Sequence, residues 1–162
     1  MTVDDTDETT APAVTLHRTY AADAATVWRA WTDPSILGRW YGCQPDQLWR
    51  IHEWHPRVGG ALHVSMDVGA PDTPGPPRGD DGRYHVRGEF LVVDEPHRLE
   101  YSFGDGQRIE VMLDAADGSA STEVTVRHHG FPPDGPPPTE MAAILDAGWT
   151  ASLHQLAGAL SS

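Results

Sequence analysis

The chain contains no lysine. Its 11 basic residues are all arginine, set against 24 acidic residues for a formal net charge of −13. Without a lysine amine no Schiff base can form. A body this negative repels phosphate backbones, which argues against nucleic-acid binding by counterion release. Cysteine is almost absent too: Cys43 cannot close an internal disulfide or nucleate a zinc cluster by itself. No apolar run approaches the ~20 residues of a membrane span, and MTVDDTDETTAPA lacks the basic start and apolar stretch of a secretory leader. No Gly-x-Ser-x-Gly nucleophile elbow occurs, and no internal repeat. The expectation is a soluble, cytoplasmic protein with no cofactor and no membrane partner.

What remains is ordinary globular material. The 162 residues are 39% hydrophobic and 8% aromatic, enough for one domain that buries roughly 69% of its unfolded surface without metal or disulfide staples. Residues 1–13 hold Asp4, Asp5, Asp7 and Glu8 with no basic residue and read as a disordered acidic tail. A single domain then spans 14–162.

Val14 to Tyr20 alternates as a strand does. Asp23 to Trp40 has helical spacing, with Asp23 as N-cap and Asp33-Pro34 dividing it into two short helices. From Gln47 to His129 the period changes to two, giving candidate strands 47–54, 61–68, 83–93, 97–103, 107–114 and 121–129. Pro56 with Gly59-Gly60, Glu95-Pro96, Gly104-Asp105-Gly106 and Asp117-Gly118 separate them, so neighbours in sequence should pair antiparallel. Thr139 to Leu160 is one amphipathic helix whose stripe is Met141, Ile144, Leu145, Gly148, Trp149, Leu153, Leu156 and Leu160. The segments 69–82 and 130–138 are too rich in Gly and Pro to join a sheet interior, and read as gates.

Parity assigns the strands a dry and a wet face. Leu62, Val64, Met66, Tyr84, Val86, Phe90, Leu99, Tyr101, Phe103, Ile109, Val111, Val124, Val126 and His128 share the dry side. Arg83, His85, Arg87, Glu89, Arg98, Glu100, Arg108, Glu110, Glu123 and Arg127 share the wet one, where cross-strand charge pairs are expected. The class is α+β: a curved antiparallel sheet of six to seven strands wrapped around the long C-terminal helix.

Trp28-x-x-Trp31-Thr32-Asp33-Pro34-x-x-Leu37-x-x-Trp40, Arg57-Val58-Gly59-Gly60, Gly88-Glu89-Phe90 and Gly148-Trp149-x-x-x-Leu153-x-x-Leu156 occur in that order. This arrangement resembles the helix-grip fold of the START-like (SRPBCC) superfamily, in its activator-of-Hsp90-ATPase-like branch, over roughly 14–160. The resemblance implies binding of a hydrophobic small molecule between helix and sheet, by a monomer or weak homodimer. Some relatives accompany antibiotic biosynthesis, including an enediyne (calicheamicin-type) resistance protein cleaved at a glycine by the drug radical. The Ala-, Gly-, Pro- and Arg-rich composition suits an actinobacterial genome. Eukaryotic namesakes engage a chaperone through an additional N-terminal domain for which this chain has no room.

The residues expected to line the cavity are Trp40, Met66, Tyr84, Phe90, Tyr101, Phe103, His128, Leu145 and Trp149. No catalytic group is expected; His128 would be the acid or base if the protein were a polyketide cyclase-type enzyme, and a chaperone-associated interaction protein is the other alternative. In a sacrificial mechanism the candidate glycines are Gly88 and Gly148 facing the cavity, with Gly104, Gly106 and Gly130 at its rim. No metal site is expected: His52 and His55, three apart, point to opposite faces, and His128 and His129 diverge.

Overall fold

Apolar and polar residues alternate from Ala13 to Tyr20, burying Val14, Leu16 and Tyr20, and this segment is strand β1. The computed structural model describes residues 13–41, 49–67, 79, 81–104, 106–115, 120–130 and 138–161. Of the acidic tail only Ala13 is among them, and it opens β1; residues 1–12 lie outside the described residues, as do most of 69–82 and 130–138. After β1 (Ala13–Tyr20) come α1 (Ala24–Thr32), α2 (Pro34–Leu37), β2 (Trp49–Trp54), β3 (Ala61–Asp67), β4 (Arg83–Asp94), β5 (Arg98–Ser102), β6 (Arg108–Ala115), β7 (Thr122–His129) and α3 (Pro138–Ser161).

Two aspartates set the helix pair. The Asp23 side chain accepts from the Thr26 N–H at 2.9 Å. Asp33 closes α1 through its own N–H to the Arg29 carbonyl (2.8 Å) and caps α2 by accepting from the Ser35 N–H (3.0 Å). Pro34 then occupies the first turn, where no amide hydrogen is missed. Val27, Trp28, Ala30, Trp31 and Leu37 become the buried side.

The strands form one antiparallel sheet of seven in the order β1-β7-β6-β5-β4-β3-β2. β2 through β7 follow one another as a meander, and β1 pairs with β7 in register Leu16↔Val126. The helix pair therefore carries the chain from one sheet edge to the other. Most of the inward set is buried as parity indicated, with Met66, Tyr84 and Phe103 only partly covered. The outward charges pair across strands, Arg98 and Arg127 with Glu110 (3.1 and 2.9 Å) and Arg108 with Glu100 (3.4 Å), while Arg98 also meets Glu100 of its own strand (2.9 Å). His129 reaches Glu110 at 2.8 Å on the same outer face, while His128 points inward.

Curvature has two local causes. β4 is bulged between Phe90 and Val92, so its first half pairs with β3 and its second with β5. Bulges bend the strand that carries them. At Gly88 the β5 backbone passes so close that a Cβ would meet the Ser102 carbonyl. The Gly59-Gly60 turn locks onto the same strand: Gly59, at φ 83°, donates to the Phe90 carbonyl (2.8 Å), and Phe90 donates to the Gly60 carbonyl (2.9 Å).

Into the concave side lies α3, a residue longer at each end than its periodicity indicated. Leu153 and Leu156 are fully buried, each contributing about 2 kcal/mol of apolar transfer. Tyr20 fixes the helix by donating from its hydroxyl to the Leu153 carbonyl at 2.8 Å. Burial, only slightly relieved by Arg18, pushes that phenol up to about 12. Among the described residues no helix is long and apolar enough to cross a membrane.

Candidate functional site

Between α3 and the sheet the side chains form a closed circuit of rings. Trp149 of α3 meets Tyr41, in the turn after α2, at 5.8 Å between centroids. Tyr41 meets Trp54 at the end of β2 (5.6 Å), and Trp54 meets Tyr101 of β5 (5.3 Å). Tyr101 leads to Phe103 (6.3 Å), Phe103 to His128 (6.2 Å), and His128 back to Trp149 (6.3 Å). Trp31 stacks on Trp149 and takes Trp40 edge-on at 4.7 Å, while Phe90 backs Trp54 at 5.2 Å. Edge-to-face pairs of this kind add about 0.5–1.5 kcal/mol each beyond area burial.

The nine expected lining residues separate by depth. Trp40, Phe90 and Tyr101 are completely buried, and Trp40 is further tied by its indole N–H to the Ala30 carbonyl (3.0 Å). His128 and Trp149 are buried within the circuit itself. Met66, Tyr84, Phe103 and Leu145 are half-buried, and the last three pack against the core. Met66 and Tyr84 are cross-strand partners at the end of β3 and the start of β4, and Phe103 follows β5. Leu145 lies one turn before Trp149 on α3. These four are the partly exposed members of the set, whereas Trp40 and Phe90 are wholly enclosed.

Sequence reasoning passed over Tyr41 and Trp54 and placed Trp31 in the helix motif but not on the lining; the three supply rings at the centre. The parity reading did not extend to β2, where Trp54 would have emerged as inward. Tyr41 follows a helix of one turn, where no periodicity operates.

Polar groups on this inner wall are few and specific. The Tyr41 and Tyr101 hydroxyls lie 2.8 Å apart, both deeply buried. Burial pushes both phenols far up, so both are neutral. Trp54 donates to the Trp31 carbonyl (2.9 Å). His128 accepts at Nδ1 from the Trp149 indole (3.1 Å) and meets Gln107 Oε1 through Nε2 (2.7 Å). That pattern assigns a neutral ring with its proton on Nε2. Burial, aided by the neighbouring His129, pulls its pKa down to about 4. Both nitrogens are engaged, so His128 is not presented as an acid or base. Among the described residues, Trp31 Nε1 is a buried polar side-chain atom with no hydrogen-bond partner.

The glycines sort by cover. Gly88 is sheltered by the Ser102 carbonyl and Gly130 by the Gly106 carbonyl, whereas Gly104 meets only a Val86 methyl at 3.9 Å. A shallow cleft of about 190 Å³ lies elsewhere, between α1, α2 and the end of α3, bordered by Thr26, Arg29, Ile36, Arg39 and Leu160.

The outer face departs from the sequence reading. That reading compares only histidines close in the chain, and on that premise no metal centre is expected. Cross-strand register instead gathers His52 of β2, His63 of β3 and His85 of β4.

A meander closed by its first strand and filled by its last helix is the helix-grip architecture. The match to the family model described as "Activator of Hsp90 ATPase homolog 1-like protein" runs over residues 21–161, and the chain belongs to that family, within the START-like superfamily. A Chromobacterium violaceum crystal structure superposes with TM-score 0.73 at 22% identity, covering 93% of this chain and 99% of that one. The solution structure of an AHSA1-like protein from Aeromonas hydrophila gives 0.64 at 21%, covering 92% of each. A Mycobacterium smegmatis protein gives 0.66 at 21%, covering 93% and 91%. At such identities the likeness concerns the fold. No curated protein matches the chain.

Proposed function

We propose that this protein binds, without catalysis, a hydrophobic aromatic or polyketide-like small molecule on the inner wall of the grip. The molecule enters past Met66, Tyr84, Phe103 and Leu145, with His128 and Trp149 behind them and Trp40, Phe90 and Tyr101 supporting the wall. One observation carries the reading: among the described residues, this aromatic interior buries an indole N–H that its own acceptors leave unmet. The Trp31 indole N–H has no partner among the described residues. A hydroxyl pair such as Tyr41–Tyr101 uses only one of its two protons. Buried donors left in this state cost about 1–3 kcal/mol each, and a flat molecule bearing carbonyl or phenolic oxygens satisfies them while covering apolar surface.

The occupied state of His128 supports a binder over a cyclase-type enzyme. A chaperone-associated role has no specific feature of the described residues behind it. We take the binder to be a cytoplasmic monomer or weak dimer. If its ligand is a natural product made by the same cell, such binding acts as self-resistance by sequestration. Sacrificial cleavage is the stronger version, and of the rim glycines Gly104 and Gly106 meet no other atom closer than 3.9 Å, unlike Gly130. An intact chain mass after activation of a bound enediyne would exclude that version alone.

The test is tryptophan fluorescence during titration with a planar anthraquinone and with anthracene, its hydrocarbon counterpart. The quinone should quench and bind at least about tenfold more tightly, the worth of one satisfied buried donor. Tyr84→Ala should weaken both ligands, and Trp149→Phe should remove most of the quench while the protein stays folded. Equal affinity for the two probes would remove the donor argument; no response to either would remove the receptor.

A further inference from the structure

The wet side of β2, β3 and β4 carries a feature with no part in the inner wall. β2 is bulged between Ile51 and Glu53: Ile51 stands opposite Val64, Glu53 opposite His63, and His52 is the extra residue. A bulge puts two successive residues on one face. Ile51 and Trp54 consequently turn inward while His52 and Glu53 both turn outward. The extra residue lands beside His63, and one register step along, β4 delivers His85 opposite Ser65. The rings nest, His52 over His63 at 4.4 Å and His63 against His85 at 5.1 Å.

We propose that His52, His63 and His85 are the ligands of a divalent late first-row transition metal of the zinc class, held on the outer face of the sheet with a fourth position open to solvent. Each ring offers one nitrogen, and the three nitrogens lie within 4.8 Å of one another. Tetrahedral coordination with Zn–N of 2.0–2.1 Å sets nitrogens about 3.4 Å apart. His63 Nε2 and His85 Nδ1 are already 2.9 Å apart, and ring rotation must bring the three nitrogens around one centre. Imidazole is the ligand type these ions prefer.

Two of the rings already have the outer partners that metal-binding histidines use. Both Asp81 carboxylate oxygens approach His85 Nε2, at 3.0 and 2.9 Å. The carboxylate holds the proton on Nε2 and leaves the Nδ1 lone pair facing His63. Ser65, fully buried, holds His52 Nε2 at 2.7 Å and is itself fixed by Arg83 Nε at 2.9 Å.

One contact opposes the metal. Arg87 Nη1 donates to His63 Nδ1 at 3.3 Å, and His63 Nε2 in turn lies 2.9 Å from His85 Nδ1. The relay runs Arg87 to His63 to His85 to Asp81 and puts the His63 proton on Nε2, the nitrogen that must coordinate. Metal binding therefore moves that proton to Nδ1 and releases Arg87. A metal site thus makes an unusual forecast: removing an arginine strengthens it.

The experiment uses untagged full-length protein, freed of metal with chelator, titrated calorimetrically with zinc chloride and followed by absorbance with cobalt chloride. One equivalent should bind, and cobalt should show the intense visible bands of a four-coordinate site. His52→Ala, His63→Ala and His85→Ala should each weaken zinc at least about tenfold, Asp81→Asn about tenfold, and Arg87→Gln should tighten it severalfold. His97→Ala and His154→Ala, at exposed positions elsewhere, should change nothing. Gln substitutions replace Ala at any triad position where circular dichroism shows lost structure. Zinc affinity indifferent to the triad, absence of the cobalt bands, or loss of affinity in Arg87→Gln would overturn the proposal. None of these results bears on ligand binding at the inner wall.

Discussion

The Tyr41–Tyr101 hydroxyl pair permits a sharp energetic test of the inner wall. The oxygens are 2.8 Å apart, Tyr101 is wholly inaccessible and Tyr41 nearly so. Tyr101→Phe removes one oxygen and leaves the Tyr41 hydroxyl buried without a partner, which costs about 1–3 kcal/mol; Tyr41→Phe does the same in reverse. The double substitution removes both polar groups together, leaving only two small gaps among rings, and should cost less than either single change. The coupling energy is therefore expected at about 1.5–3 kcal/mol, well above the additivity error of about 0.5 kcal/mol. Urea denaturation at neutral pH, followed by far-UV circular dichroism for the four proteins of the cycle, measures it. Strictly additive losses would show that the two hydroxyls do not meet in an enclosed apolar space, and the description of the wall would fail.

Other perturbations read separate parts of the molecule. The His128 imidazole titrates near 4 in the fold against an ordinary 6.5, so the unfolded chain takes up a proton first as pH falls. Its contribution, about 3 kcal/mol, is complete above pH 6.5 and fades toward pH 4; His128→Gln should flatten the urea midpoint over that window relative to wild type. Gly88→Ala forces a methyl against the Ser102 carbonyl and should cost about 2–3 kcal/mol, read as a lower thermal midpoint. Gly158, exposed on α3 with open space around it, should accept alanine with a gain of about 0.5–1 kcal/mol.

Parity arguments recovered the sheet because one face must be dry: a slip of one residue would send Phe90 and Tyr101 to solvent and Arg98 inward. Capping residues carried the helices for the same local reason, as Asp33-Pro34 does at the junction of α1 and α2. Contacts that depend on register were not legible. The three histidines are far apart in sequence, and only the β2 bulge, an extra residue with no compositional signature, turns His52 outward. Tyr41 escaped notice because its burial is decided by Trp149 and Trp54 rather than by its neighbours. Gly88 was read as facing open space; the curvature of β4 fills that space with the β5 backbone.

The claim at the centre is that organic molecules seat on the inner face of the grip from the end marked by Met66, Tyr84, Phe103 and Leu145. Two-dimensional nuclear magnetic resonance of labelled protein, titrated with an anthraquinone, addresses it directly. Backbone shifts should concentrate at those four residues and at His128, with the Trp31 and Trp149 indole N–H signals moving as an acceptor arrives. Shifts confined to the outer strands or to the helical cleft at Arg29 and Arg39, with both indole signals stationary, would contradict it.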